Sequence, residues 1–142
     1  VGICFGHQLL ATALRGHVKE NPGGWRGGVR SVSIQKQKEW MTPFGDDLNI
    51  IVSHHDSVDQ LPPDATLLGS SSYCRNFMFS IDNRVLGIQG HPELSREFAK
   101  ALYESKKEKI GPEKVERAIQ SLGEKTSPAL WANWIYAFLK QK

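Results

Sequence analysis

The sequence predicts an α/β domain whose parallel sheet carries an antiparallel edge. Two observations lead there. Short strand-like runs recur before residue 90, and segments of helical period flank them near the start and over the last third. A hairpin signal, Asp82-Asn83, then separates two of those runs and sets one antiparallel pair.

The elements follow in order. Val1-Gly2-Ile3-Cys4 reads as the end of a buried strand, so strands are expected ahead of residue 1. Residues 6–15 form a helix with Leu9, Leu10, Ala13 and Leu14 on one face and Gly16 as C-cap. Asn21-Pro22-Gly23-Gly24-Trp25-Arg26-Gly27-Gly28 reads as a turn-rich loop. Residues 29–34 alternate, Val29, Ser31 and Ser33 opposite Arg30, Val32 and Ile34, as a strand does. Residues 48–52 make a short apolar strand ending at Ser53-His54-His55-Asp56, and Leu61-Pro62-Pro63 is a break. Strands follow over 66–70, 76–81 and 85–89, the last two joined by a two-residue turn at Asp82-Asn83.

The remainder is helical. Residues 95–107 run from an N-cap at Ser95, with Phe98, Ala99 and Leu102 as the apolar stripe. A second helix covers 112–122, with Pro112 in its first turn. Ser127-Pro128 opens a third, where Leu130, Trp131, Trp134, Ile135, Phe138 and Leu139 at helical spacing read as core or partner-facing packing.

Composition bounds the function. A chain of 142 residues can hold one domain with a core and not two. At 39% hydrophobic and 23% charged residues it reads as a globular protein, and it offers no apolar run long enough for a membrane span. The net charge of +3 comes from scattered Lys and Arg, apart from Lys106-Lys107-Glu108-Lys109 on a solvated helix face, so no nucleic-acid partner is expected. Cys4 and Cys74 form neither a disulfide framework nor a CxxC metal motif. A lone reactive thiol suits a reducing compartment, and a cytoplasmic location is expected.

Gly2-Ile3-Cys4-Phe5-Gly6 matches a nucleophile elbow with Cys in place of Ser. The turn from strand to helix must be sharp enough to lift the nucleophile clear of the sheet, and the flanking glycines allow close approach. The following helix points its positive end at the sulfur, favouring thiolate, and leaves the Phe5 N–H free for an oxyanion. On these five residues alone a small buried cysteine is an equal reading. Cys74 sits in a Ser-rich stretch without such a turn and reads as structural.

Gly90-His91-Pro92-Glu93 follows the strand at 85–89. Pro92 biases His91 toward extended backbone, where residues two apart share a side. His91 and Glu93 can then meet, the carboxylate holding one imidazole nitrogen and leaving the other for the thiol proton. Read alone, His91 is a satisfied strand-end histidine and Glu93 a first-turn helix acid. The conjunction with the elbow decides for a Cys/His/acid triad.

Three blocks now stand in order: Gly2-Ile3-Cys4-Phe5-Gly6-His7-Gln8, then Ser53-His54-His55-Asp56-Ser57-Val58 with Leu61-Pro62, then Gly87-Ile88-Gln89-Gly90-His91-Pro92-Glu93. Together they resemble the class I, triad-type glutamine amidotransferases. Within that family they are most similar to stand-alone members like the glutaminase domain of GMP synthetase and to plant γ-glutamyl peptidases. The resemblance implies a flavodoxin-like three-layer fold with a mainly parallel sheet. Residues 1–109 would be the C-terminal part of the domain, and 110–142 a helical extension packed on it. It implies Cys4 as nucleophile, His91 as base and then acid, and Glu93 as its orienting partner. Phe5 and Gln8 would meet the substrate from the helix start, and Ser53, His54, His55 and Asp56 would hold its amino-acid head.

The substrate implied is glutamine or another γ-glutamyl compound, with no cofactor. Alternatives are a γ-glutamyl peptidase acting on glutathione-like peptides, ammonia delivery to a separate synthetase partner, and a non-catalytic regulatory relative. His54 and His55 do not read as a metal site, because neighbours on a strand point to opposite faces. In the family an upstream loop adds a second oxyanion donor, expected ahead of Val1.

Overall fold

The computed structural model describes residues 1–45 and 47–141. Its elements are β1 (Gly2–Ile3), α1 (Phe5–Ala13), β2 (His17–Glu20), β3 (Arg26–Ile34), β4 (Asp47–His54), β5 (Asp56–Gln60), β6 (Thr66–Ser70), β7 (Met78–Ile81) and β8 (Val85–Ile88). Four helices follow: α2 (Arg96–Ser105), α3 (Lys107–Ile110), α4 (Pro112–Ser121) and α5 (Pro128–Lys140). The fold is α/β, as the sequence predicts. Among the described residues no helix is long and apolar enough to cross a membrane.

The main sheet has the order β1-β8-β7-β6-β3-β4. β1 pairs in parallel with β8, and the antiparallel pairing expected at one edge runs from β8 through to β4. Short connections between successive strands allow only antiparallel neighbours, which is why β6, β7 and β8 form a meander. A second, two-stranded sheet of β2 and β5 lies in segments that the sequence reading leaves without strands.

Alternation along the strands sorts the core. β4 sends Leu48, Ile50 and Val52 to one side, where Trp131, Trp134 and Phe138 of α5 close the largest cluster. It sends Ile51 to the other, where Trp25 and Val29 meet Ala99 and Tyr103 of α2 and Val115 and Ala118 of α4. A third cluster sets Ala11 of α1 against Phe79 and Ile81 of β7. The sheet also curls. Although β4 lies at the far edge from β8 in pairing order, the His91 N–H just beyond β8 donates to the Ile51 carbonyl at 2.8 Å.

Several local expectations need correction. Residues 26–28 belong to β3 and not to a loop. Their glycines mark close packing: the Trp25 ring covers Gly27, and Gly28, at φ 91°, lies against Ala118 and Ser121 of α4. The loop between β7 and β8 has three residues, because Ile81 pairs with Val85 and the Arg84 N–H closes onto the Ile81 carbonyl at 3.2 Å. In α1 the buried residues are His7, Gln8 and Ala11, while Leu9 is 56% exposed. In α2 they are Ala99 and Tyr103, while Phe98 is 59% exposed. Ser95 does cap α2, its Oγ accepting from the Phe98 N–H at 3.1 Å.

Candidate active site

Cys4 stands at the turn from β1 into α1, with φ 50° and ψ −103°. That left-handed backbone is costly for a residue with a Cβ and persists only where its surroundings over-determine it. Here they do. The Cys4 N–H extends the parallel ladder by donating to the Ile88 carbonyl at 2.8 Å, and the Cys4 carbonyl accepts the first helical bond from Gln8 at 3.1 Å. Gly2 must be glycine, because a Cβ there would lie 2.5 Å from the Gly6 backbone. Gly6 has no such constraint: a Cβ would meet nothing within 4 Å, so only one of the two elbow glycines is demanded by packing. Among the described residues no side chain caps α1 and its first turn holds no acid, so the N–H groups there, beginning with Phe5, have no capping side chain.

Three groups surround the Cys4 sulfur. The Ser53 carbonyl lies 3.8 Å away, the Gln89 Nε2 donates at 3.6 Å, and the His91 ring is near enough for Cys4 to raise its pKa. His91 Nδ1 is held at 2.6 Å by Glu93 Oε1, leaving Nε2 as the ring nitrogen not engaged by the carboxylate. The structure thus brings Cys4, His91 and Glu93 together. Burial is the largest influence on the imidazole and lowers its pKa. The interactions with Cys4 and Glu93, whose charges also favour the cation, outweigh it and raise the pKa to about 9.

The segment from Ser53 to Asp56 flanks the same site. His54 closes β4 and is buried, while His55 lies between β4 and β5 and is exposed. His54 Nδ1 faces the Asp56 carbonyl at 2.7 Å and Nε2 faces the Tyr73 hydroxyl at 2.8 Å. A carbonyl only accepts, so Nδ1 carries the proton and the phenol donates to Nε2. Burial drives the His54 pKa down to about 4, helped by the charges of His91 and Arg26 and opposed by the bond to Asp56, so the ring is neutral at neutral pH. The Asp56 carbonyl also accepts from Gln8 Nε2 at 2.7 Å, and that amide reaches Gln89 Oε1 at 3.1 Å. Gln8 is therefore engaged in tying α1 to β5 and to Gln89. The side chain of Phe5 is exposed, and its contribution to the site is its backbone.

Sequence reasoning assigned no role to Gln89, which is fully buried and donates to the sulfur. The signal was present: in an extended segment Gln89 shares a side with His91, and a glutamine closing an apolar strand needs a polar partner. Trp25 and Tyr73 were also missed as site neighbours. The Trp25 indole N–H donates to Ser53 Oγ at 3.2 Å.

Comparisons with known proteins point to one family. The family profile for class I glutamine amidotransferase matches residues 1–108. γ-Glutamyl peptidase 3 of Arabidopsis thaliana is 43% identical over 103 residues, covering 68% of this chain and 41% of that protein. One component of the glutamine-hydrolysing GMP synthase of Methanoculleus marisnigri is 35% identical over 96 residues, covering 67% of this chain and 52% of its own. The chain thus spans about two fifths to one half of these relatives' length. The crystal structure of a glutamine amidotransferase from Thermotoga maritima superposes with a TM-score of 0.75 at 27% identity, over 99% of this chain and 62% of that one. The chain belongs to the class I glutamine amidotransferase family.

Proposed function

We propose that the protein hydrolyses the γ-amide of glutamine, or of another γ-glutamyl compound, through a thioester on Cys4. The observation that carries this reading is a strained cysteine beside an imidazole that a carboxylate holds at 2.6 Å. His91 takes the thiol proton, and the thiolate adds to the γ-carbonyl carbon. The carbonyl oxygen, now an oxyanion, is met by the Phe5 N–H at the helix start. The carbon–nitrogen bond breaks as His91 returns its proton to the leaving nitrogen. A water then loses a proton to His91, adds to the thioester and releases glutamate and the free thiol. Glu93 fixes the tautomer of His91 and stabilises the imidazolium. Gln89 steadies the sulfur, and Ser53, His54, His55 and Asp56 border the place of the amino-acid head, with Gln8 holding Asp56.

Relatives carry names for both leaving groups, a larger amine and ammonia: one named γ-glutamyl peptidase 3 is 43% identical and one named a putative glutamine amidotransferase 41%. In the second reading ammonia passes to a separate synthetase partner. A site that depends on a free thiol suits a reducing compartment such as the cytoplasm.

The test is chemical labelling. A chloroketone analogue of glutamine should modify Cys4 and spare Cys74, which is 2% exposed and whose thiol burial pushes up in pKa. Cys4→Ala should remove both labelling and amide hydrolysis. Equal labelling of the two cysteines, or of Cys74 alone, would sink the reading. Release of glycine from γ-glutamylglycine at a higher kcat/KM than ammonia from glutamine separates the two leaving groups.

A further inference from the structure

Between β3 and α4 lies a cavity of about 290 Å³ whose walls carry Arg26, Arg30, Lys114 and Arg117 beside Trp25 and Ser121. Among the described residues no acidic side chain lines it. Arg26 and Arg30 are four apart on a strand and share a side. Lys114 and Arg117 are three apart on a helix and are neighbours on its surface, where like charges oppose helix formation. The packing of α4 on β3 turns both pairs toward one space.

The cations are held in place but not neutralised. Arg26 Nη2 donates to the Pro22 carbonyl and Lys114 Nζ to the Gly23 carbonyl, both uncharged acceptors. The guanidinium carbons of Arg26 and Arg30 lie 5.5 and 5.7 Å from the centre of the Tyr73 ring. Burial holds that phenol in its neutral form, so it supplies no counter-charge. Among the described residues none of the four joins an ion pair. The Nε atoms of Arg26 and Arg30 are buried with no hydrogen-bond partner. Packing on Tyr73 explains where two guanidiniums rest, but not why two further cations converge on the same space.

We propose that this cavity is an anion-binding site for a small molecule bearing a carboxylate or phosphate. Guanidinium forks match such oxygens two at a time, and a lysine adds a point charge. Its wall residue Trp25 donates to Ser53 Oγ, and the Ser53 carbonyl lies 3.8 Å from the Cys4 sulfur. An occupant is thus separated from the candidate nucleophile by one side chain and one strand residue. The anion has two sources: the amine portion of a γ-glutamyl substrate, which rests on the proposed amidase reading, or a free effector, which does not.

Calorimetric titration with inorganic phosphate tests the site, comparing the purified protein with an Arg30→Gln/Arg117→Gln double variant. Among the described residues neither arginine side chain hydrogen-bonds to the protein and Arg30 only packs on Tyr73, so the variant should melt close to the parent midpoint; Lys114→Gln repeats the test with one charge removed. One phosphate should bind per chain, more weakly as NaCl rises, and the double variant should lose at least about tenfold in affinity. No saturable binding, or equal affinity in parent and variants, overturns the proposal. Kinetics separate the sources. If the anion belongs to the substrate, the double variant loses more kcat/KM on γ-glutamylglycine than on glutamine. An equal change on both, with phosphate binding lost, assigns the site to a free anion. A protein that binds phosphate yet hydrolyses neither compound fails the amidase reading and leaves the anion site standing.

Discussion

His91 follows β8 and His54 ends β4, close enough that the charge of His91 weighs on His54, yet the two rings are driven in opposite directions. Both are partly or wholly withdrawn from water, and burial works against the cation in each. What differs is the company. His54 has a carbonyl on one side and a phenol on the other, a pair that fits a neutral imidazole. His91 has a carboxylate and a thiol, a pair that fits an imidazolium. Two strand tips of one sheet thus present one histidine able to carry a proton and one built to stay uncharged. The partners, and not the depth of burial, divide the roles.

The hardest blow to this comparison comes from exchanging the phenotypes. His91→Ala should cut kcat about 100- to 10,000-fold, the range for a positioned general acid and base, with a fall in melting midpoint that shrinks as pH rises toward 9. If the activity survives and the fold does not, the assignment of roles is reversed.

His54→Leu should act first on stability. It leaves the Tyr73 hydroxyl without its acceptor and the Asp56 carbonyl with one donor fewer, at a cost of about 1–3 kcal/mol for each buried group left unpaired. The pH dependence of stability sharpens the contrast. His54 has a folded pKa of about 4 against the ordinary 6.5, so its contribution is present above pH 6.5 and lost as pH falls from there toward 4. His91 has a folded pKa of about 9, so its contribution is complete below 6.5 and lost as pH rises toward 9. Melting midpoints measured across this range should show a shallower acid limb in His54→Leu and a shallower alkaline limb in His91→Ala. An acid limb remains in both, since burial also lowers His7, to about 3. Parallel profiles for the three proteins would break the comparison.

The half of the site that is close in sequence was legible in local patterns, and the half made by the curl of the sheet only through the family resemblance of residues 53–58. The elbow around Cys4 and the spacing of His91 and Glu93 are local patterns with a fixed geometric meaning. The approach of Ser53 to Cys4, 49 positions away, depends on the path of the intervening strands, and no periodicity records it. Helical spacing gave α1 and α2 the right extent and part of the buried face: Leu10, Leu14, Ala99 and Leu102 pack on the core, while Leu9 and Phe98 are exposed. In α1 that face is also set by His7 and Gln8, polar residues with buried partners, and a hydrophobic stripe cannot find those. The glycine-rich run at 21–28 misled for a similar reason. Glycine there serves close packing under Trp25 and α4 as much as turning, and composition does not separate the two uses.

The smallest expected effect tests where Gln89 belongs. Its side chain is fully buried between the two histidine-bearing regions, giving Nε2 to the Cys4 sulfur at 3.6 Å and Oε1 to Gln8 at 3.1 Å. If it serves the sulfur, it sides with His91; if it only ties α1 to the sheet, it sides with His54. Gln89→Leu has similar volume, so packing is conserved, and Gln8 keeps its shorter bond to the Asp56 carbonyl at 2.7 Å. The loss then falls mainly on the sulfur. A hydrogen bond to a charged group is worth about 1.5–3 kcal/mol, so kcat and the rate of iodoacetamide capture of Cys4 should fall together, by roughly tenfold or somewhat more. The melting midpoint should move less than in His54→Leu, because only one neutral amide contact is lost and its donor keeps a partner. A large drop in melting midpoint with an unchanged capture rate would place Gln89 with the structural histidine, and the sulfur would then depend on His91 and the helix start alone.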